Sequence, residues 1–210
     1  MTCGGTGGHI NPAIAVANRI KMISPGAEIA FVGTEKGMES SLVPKAGYPI
    51  RFVKVRGFKR KLTLANIDAA IKAVTSVVAA KRIIRDFQPD VVIGTGGYVS
   101  WPTVKAAAKL GVPTLIQEQN AFPGVTQRML AKYADKICVS FEESRKFFDA
   151  SVQDKILLTG NPVSASGITR AQAREKLGLE PGALYVVSSG GSLGAEKVNE
   201  YVFEVIGSYT

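Results

Sequence analysis

The sequence predicts an α/β protein built on a parallel sheet with helices on both faces. Three observations carry that prediction. Short apolar runs, often β-branched and bounded by Gly or Pro, alternate with stretches of helical period. The runs are continuous rather than alternating, as in strands covered on two sides. Glycine-rich loops at 4–9, 94–100 and 190–195 each fall between a predicted strand and a helix, where the βα turns of such sheets lie.

Strands are predicted over Ile29–Val32, Ile50–Val55, Val91–Ile93, Thr114–Ile116, Lys136–Val139, Ile156–Leu158 and Leu184–Ser188. Helices are predicted over Pro12–Ile23, Met38–Ala46, Leu64–Phe87, Trp101–Leu110, Val125–Ala134, Glu142–Phe148, Ala171–Leu177 and Glu196–Ile206. Asn11 before Pro12 reads as an N-cap followed by a first-turn proline. Thr169 with Gln172 fits a capping box. The stretch "TGNPVSASG" (159–167) reads as an interdomain linker. This gives one domain over 1–160, then a linker and the beginning of a second domain over 161–210. A glycine loop of the first kind should follow a buried strand, yet only Met1, Thr2 and Cys3 precede it. The expectation is a sequence cut at both ends.

Composition narrows the class. Nothing approaches the ~20 apolar residues of a membrane span, and the first residues do not read as a secretory leader. Cys3 and Cys138 form no framework or metal spacing and read as reduced, buried thiols. The net charge of +9 favours a polyanionic partner. No aromatic-and-basic stacking pattern or zinc spacing points to nucleic acid.

Glycine lets backbone approach a ligand closely, and the helix that follows offers unpaired N–H groups and partial positive charge. "GGTGGH", "GTGGYVS" and "GGSLGA" are therefore candidate phosphate or diphosphate sites. Any one of them could be a plain tight turn; three together predict that at least one binds phosphate. A nicotinamide cofactor is not expected, because Ile10 stands where the third glycine of G-x-G-x-x-G would be. The Walker pattern is missing as well.

His9, the one histidine of the chain, could cap a helix, pair with a phosphate or serve as a general base. Glu118, in "QEQN" (117–120), is a second candidate base at the carboxyl end of a predicted strand, where ligands of open α/β sheets bind.

With "GGTGGHINPAIAVA", "VGTEKGMESSLVPKAGY", "DVVIGTGGYVSWP", "IQEQNAFPGVTQRMLAKYADKICVSF", "TGNPV" and "GGSLGAEKVNE" in order along nearly the whole chain, the sequence resembles the MurG family. Those proteins are the N-acetylglucosaminyltransferases that convert lipid I into lipid II in peptidoglycan synthesis. The resemblance implies a GT-B architecture of two Rossmann-like domains, of which this chain carries the acceptor domain and the start of the donor domain. It implies donor (UDP-N-acetylglucosamine) contacts at Thr6, Gly7, Gly8, Asn120 and Ser192. It places the acceptor diphosphate against Gly5, Gly8, His9, Gly96, Gly97 and Tyr98. His9 is then the leading base and Glu118 its rival. The family motif Asn-Pro-Val-Arg ends here in Ser164, which implies a weakened donor contact. Metal-independent chemistry without a cofactor is implied, in agreement with the lack of any Asp-x-Asp.

Residues 57–87 join Lys59-Arg60-Lys61 to an amphipathic pattern of Ile67, Ile71, Val74 and Val78, followed by Lys81, Arg82 and Arg85. About half of this face should pack on the core. The rest suits peripheral docking on an anionic membrane surface, at the cytoplasmic face for a lipid-linked acceptor of this type. Tyr98 and Trp101 could touch acceptor or lipid, or be packed. Two other functions remain open from the residues: a non-catalytic membrane-docking or acceptor-binding module, and another nucleotide-sugar transferase of GT-B architecture.

Overall fold

The computed structural model describes residues 1–55, 65–164, 167–190 and 195–209, with the backbone alone for 65–74 and 209. The chain divides into two compact units, Met1–Ser164 and Ala165–Thr210.

The first unit holds strands β1 (Phe31–Gly33), β2 (Ile50–Phe52), β3 (Val92–Gly94), β4 (Thr114–Glu118), β5 (Lys136–Val139) and β6 (Ile156–Leu158). Pairing is parallel throughout, β1 with β2 and β3 through β6 in order. The residues before the first glycine loop join these two ladders. Thr2 bridges Val32 on one side and Gly94 on the other. Its N–H donates to the Ile93 carbonyl at 2.8 Å, and its carbonyl accepts from Thr95 at 3.1 Å. The sheet order is thus β2, β1, Met1–Cys3, β3, β4, β5, β6. The direction of strand succession reverses between Met1–Cys3 and β3, and ligands of open sheets bind in the crevice at such a reversal. Both first-unit glycine loops open from these two strands.

Helices α1 (Gly7–Ile23), α2 (Glu39–Lys45), α3 (Ala65–Phe87), α4 (Ser100–Lys109) and α5 (Val125–Leu130) complete this unit. Two apolar clusters lie against the sheet. Ile10, Ala13 and Ala17 of α1 gather with Cys3, Phe31 and Val43. Ala80 and Ile84 of α3, Val104 of α4 and Leu130 of α5 gather with Val32, Ile116 and Ile137. Phe31 and Val32 are neighbours in β1 yet join different clusters, as the two-residue period of a strand requires. On α3, Ala80 and Ile84 are buried while Val78, Arg82 and Arg85 are exposed. The side chains of Ile67, Ile71 and Val74, and residues Lys59–Lys61 altogether, lie outside the described part.

Three expectations change. Helix α1 begins at Gly7 with Thr6 at its cap, and Pro12 lies inside it. Proline's fixed φ is already helical, but Pro12 gives no hydrogen bond to the Gly8 carbonyl and its ring crowds it; the glycines add a turn ahead of it. Glu142–Phe147 is a 3₁₀ helix rather than an α-helix, followed by another over Ala150–Lys155. Leu184–Ser188 is not a strand, and Leu184 and Val186 are 86% and 73% exposed. A buried parallel strand needs neighbours for its backbone groups and cover on both faces; the second unit holds no described strand to pair with it, only α6 (Arg170–Lys176) and α7 (Glu196–Tyr209). The capping box at α6 forms as read, with Thr169 N–H donating to Gln172 Oε1 at 2.8 Å and Gln172 N–H to Thr169 Oγ1 at 3.3 Å.

Candidate active site

The two glycine loops interlock. A Cβ on Gly97 (φ 81°) would overlap the Gly4 carbonyl oxygen, and one on Gly96 (φ 116°) would sit 2.5 Å from His9 Nδ1. Positive φ and lack of room both exclude a side chain at these positions. The second loop therefore closes over the first, backbone on backbone, and leaves a slot for the imidazole.

His9 occupies the first turn of α1, half-buried. Thr95 Oγ1 donates to its carbonyl oxygen at 2.7 Å, and its Nδ1 lies 2.9 Å from Gln119 Oε1. Thr6 makes no side-chain cap. The first N–H groups of α1, at Gly7 and Gly8, are of the kind a helix cannot satisfy within itself, and they lie in exposed or half-exposed backbone. Tyr98 reaches across the loops. Its hydroxyl is 3.4 Å from Thr34 Oγ1, and its ring stands 4.0 Å from where a Gly5 Cβ would be. So Gly5, His9, Gly96, Gly97 and Tyr98 are brought together, with Thr6, Gly7 and Gly8 at the adjoining helix start.

Glu118 sits differently from the general base expected as one alternative. It is 1% exposed, and both carboxylate oxygens accept hydrogen bonds. Oε1 accepts from the Asn120 N–H at 2.9 Å and from Asn120 Nδ2 at 2.8 Å, while Oε2 accepts from the Gly124 N–H at 2.9 Å. It folds the loop that carries the exposed Asn120 and the start of α5. Ser192 lies outside the described residues, as does most of the third glycine loop.

Two residues matter here that the sequence did not single out. Glu39, fully buried, accepts from the Gly5 N–H at 3.2 Å, the Thr34 N–H at 2.9 Å and Thr34 Oγ1 at 2.7 Å. Gly4, Gly33 and Gly37 leave the room it fills. Two glycines, Gly33 and Gly37, shortly before Glu39 in "VGTEKGME" were the available signal. Burial, and after it the Glu39 charge, push the neighbouring Cys3 thiol up to about 12. The second residue is Gln119, whose position inside "QEQN" gave no sign of its contact with His9.

With this geometry in view, comparison with known proteins decides the lineage. The glycosyltransferase family 28 N-terminal domain matches residues 1–139. The chain belongs to glycosyltransferase family 28. A curated UDP-N-acetylglucosamine--N-acetylmuramyl-(pentapeptide) pyrophosphoryl-undecaprenol N-acetylglucosamine transferase from Alkaliphilus oremlandii is 46% identical over 211 residues, covering 100% of this chain and 57% of that protein. One of the same name from Phocaeicola vulgatus is 49% identical over 205 residues, covering 96% of this chain and 54% of that protein. This chain thus spans about half the length of the curated relatives it matches. Among solved structures, Acinetobacter baumannii MurG superposes with a TM-score of 0.63 at 33% identity, over 80% of this chain and 45% of that one. The Staphylococcus aureus MnaA–UDP co-structure (TM-score 0.57, 16% identity, 77% of this chain and 43% of that one) shares the fold alone. The first unit is a Rossmann-like domain of the kind found in GT-B glycosyltransferases such as MurG. Among the described residues no helix is long and apolar enough to cross a membrane.

Proposed function

We propose that this chain is the acceptor half, with the opening of the donor half, of an inverting transferase. It moves N-acetylglucosamine from UDP-N-acetylglucosamine to lipid I, giving lipid II. Family membership and the names of relatives at 46–49% identity support the chemistry. The observation that carries the reading is the sole histidine standing where two interlocked glycine loops meet.

In this reading the 4-hydroxyl oxygen of the acceptor sugar attacks C1 of the donor sugar. The C1–O bond to UDP breaks, and UDP leaves with the electron pair. The hydroxyl proton passes to His9. Gly5, Gly8, His9, Gly96, Gly97 and Tyr98 face the acceptor diphosphate. Thr6, Gly7, Gly8, Asn120 and Ser192 serve the donor. The N-terminus of α1 supplies N–H groups and partial positive charge for the diphosphates. The burial of Glu118 and the three hydrogen bonds that it accepts from its own loop favour a scaffolding role and leave His9 as the base. The exposed Val78, Arg82 and Arg85 support peripheral docking on an anionic membrane at the cytoplasmic face.

The test is transfer of labelled N-acetylglucosamine to lipid I by the full-length protein from the same gene. Labelled lipid II is the expected product; none formed, under conditions where an Alkaliphilus oremlandii relative works, would overturn the reading.

A further inference from the structure

The amide of Gln119 has an orientation set by neighbours that cannot be turned over. Its Nε2 lies 2.7 Å from the Thr95 carbonyl oxygen and 3.1 Å from the Gln117 carbonyl oxygen, with Gln117 Oε1 as a third acceptor. Backbone carbonyl oxygens only accept, so the nitrogen must be the end that faces them. The flipped amide would set oxygen against oxygen twice. Oε1 is consequently the end 2.9 Å from His9 Nδ1.

An amide oxygen also only accepts. In the neutral imidazole the proton must then be on Nδ1, and the lone pair falls on Nε2. Free imidazole side chains in water favour the opposite arrangement, with the proton on Nε2. The surroundings hold the pair firmly. Thr95 binds both partners, its carbonyl taking Gln119 Nε2 and its hydroxyl donating to the His9 carbonyl at 2.7 Å. Gln117 is itself braced, its Nε2 donating to Ser140 Oγ at 3.1 Å and its carbonyl accepting from Gln127 Nε2. The bare Cα of Gly96 beside Nδ1 leaves the ring its place.

We propose that Gln119 is a positioning residue that holds neutral His9 as its Nδ1–H tautomer and so makes Nε2 the proton-accepting atom. The proposal rests on His9 being the base. It assigns to an uncharged amide the orienting task that a carboxylate performs in other His-centred sites. Unlike a carboxylate, the amide fixes the tautomer without adding negative charge beside the acceptor diphosphate.

The chain contains one histidine, so its imidazole signals need no assignment among competitors. A two-bond ¹H–¹⁵N correlation spectrum of the labelled chain, taken above the ring's titration, reads the tautomer directly. The expected pattern has the bare-nitrogen shift on the nitrogen coupled to both ring protons, Nε2. Gln119→Leu, which removes the acceptor, should move that shift toward the Nε2–H pattern. Gln119→Met, which keeps the length of the side chain but also removes the acceptor, should do the same. A wild-type spectrum of the Nε2–H form overturns the proposal whether or not the variants fold. A Gln119→Leu spectrum unchanged from wild type, in a chain whose amide spectrum is otherwise native, overturns it as well. Activity of the full-length enzyme separates this from the reading beneath it. Full kcat in His9→Ala with an Nδ1–H wild-type ring removes the base and leaves the tautomer standing. Lost kcat with an Nε2–H ring does the reverse.

Discussion

Gly97 and Gly4 meet so closely that a Cβ on the first would overlap the carbonyl oxygen of the second. This single contact makes one site of two loops more than ninety residues apart, about the distance from Gly4 to Gly97 in the sequence. Gly97→Ala should force the loops apart and also strain a residue at φ 81°. The expected loss is on the order of 1–3 kcal/mol of stability, read as a lower denaturation midpoint in urea. An unchanged midpoint would mean that the loops do not lock.

Glu118→Gln separates a scaffold from a base. The amide can no longer accept at both ends, so one of the donors at Asn120 or Gly124 loses its partner. Stability should fall by about 1–3 kcal/mol, while kcat of the full-length enzyme stays within about tenfold. A fall of kcat by ~10²–10⁴ at unchanged stability would restore Glu118 as the base.

The elements nearest the site were mostly legible, and the limits are physical. Apolar continuity marked β3 and β5, since buried parallel strands carry that signal themselves, and it marked the edge strand β6 although Leu157 and Leu158 are exposed there. The start of α1 was misplaced because Asn11–Pro12 is a strong local signal, whereas Gly7 and Gly8 are helical through their context. Leu184–Ser188 carries the same apolar signal but has no described strand beside it. Within the site, the glycine loops and His9 stood out in the sequence, and the fold brings them together. Glu39 and Gln119 stayed hidden because their roles come from partners 34 and 110 residues away, in the Glu39–Gly5 and Gln119–His9 contacts.

Cys3 tests the burial beneath the first loop. The thiol is 1% exposed and pushed up to about 12, so through pH 9 it stays protonated; only thiolate reacts readily. Burial also raises the Cys138 thiol, against the opposing hydrogen bond from Thr159. Iodoacetamide at pH 8 should label neither cysteine quickly in the folded chain and both in denaturant. Rapid labelling of Cys3 in the folded chain would mean that the strand between β1 and β3 opens.

The base itself is tested most directly by steady-state kinetics of full-length His9→Ala with lipid I and UDP-N-acetylglucosamine. With His9 as the base, kcat falls by ~10²–10⁴ with little change in the KM of either substrate. A loss confined to KM would contradict it and make His9 a phosphate ligand rather than the group that takes the proton.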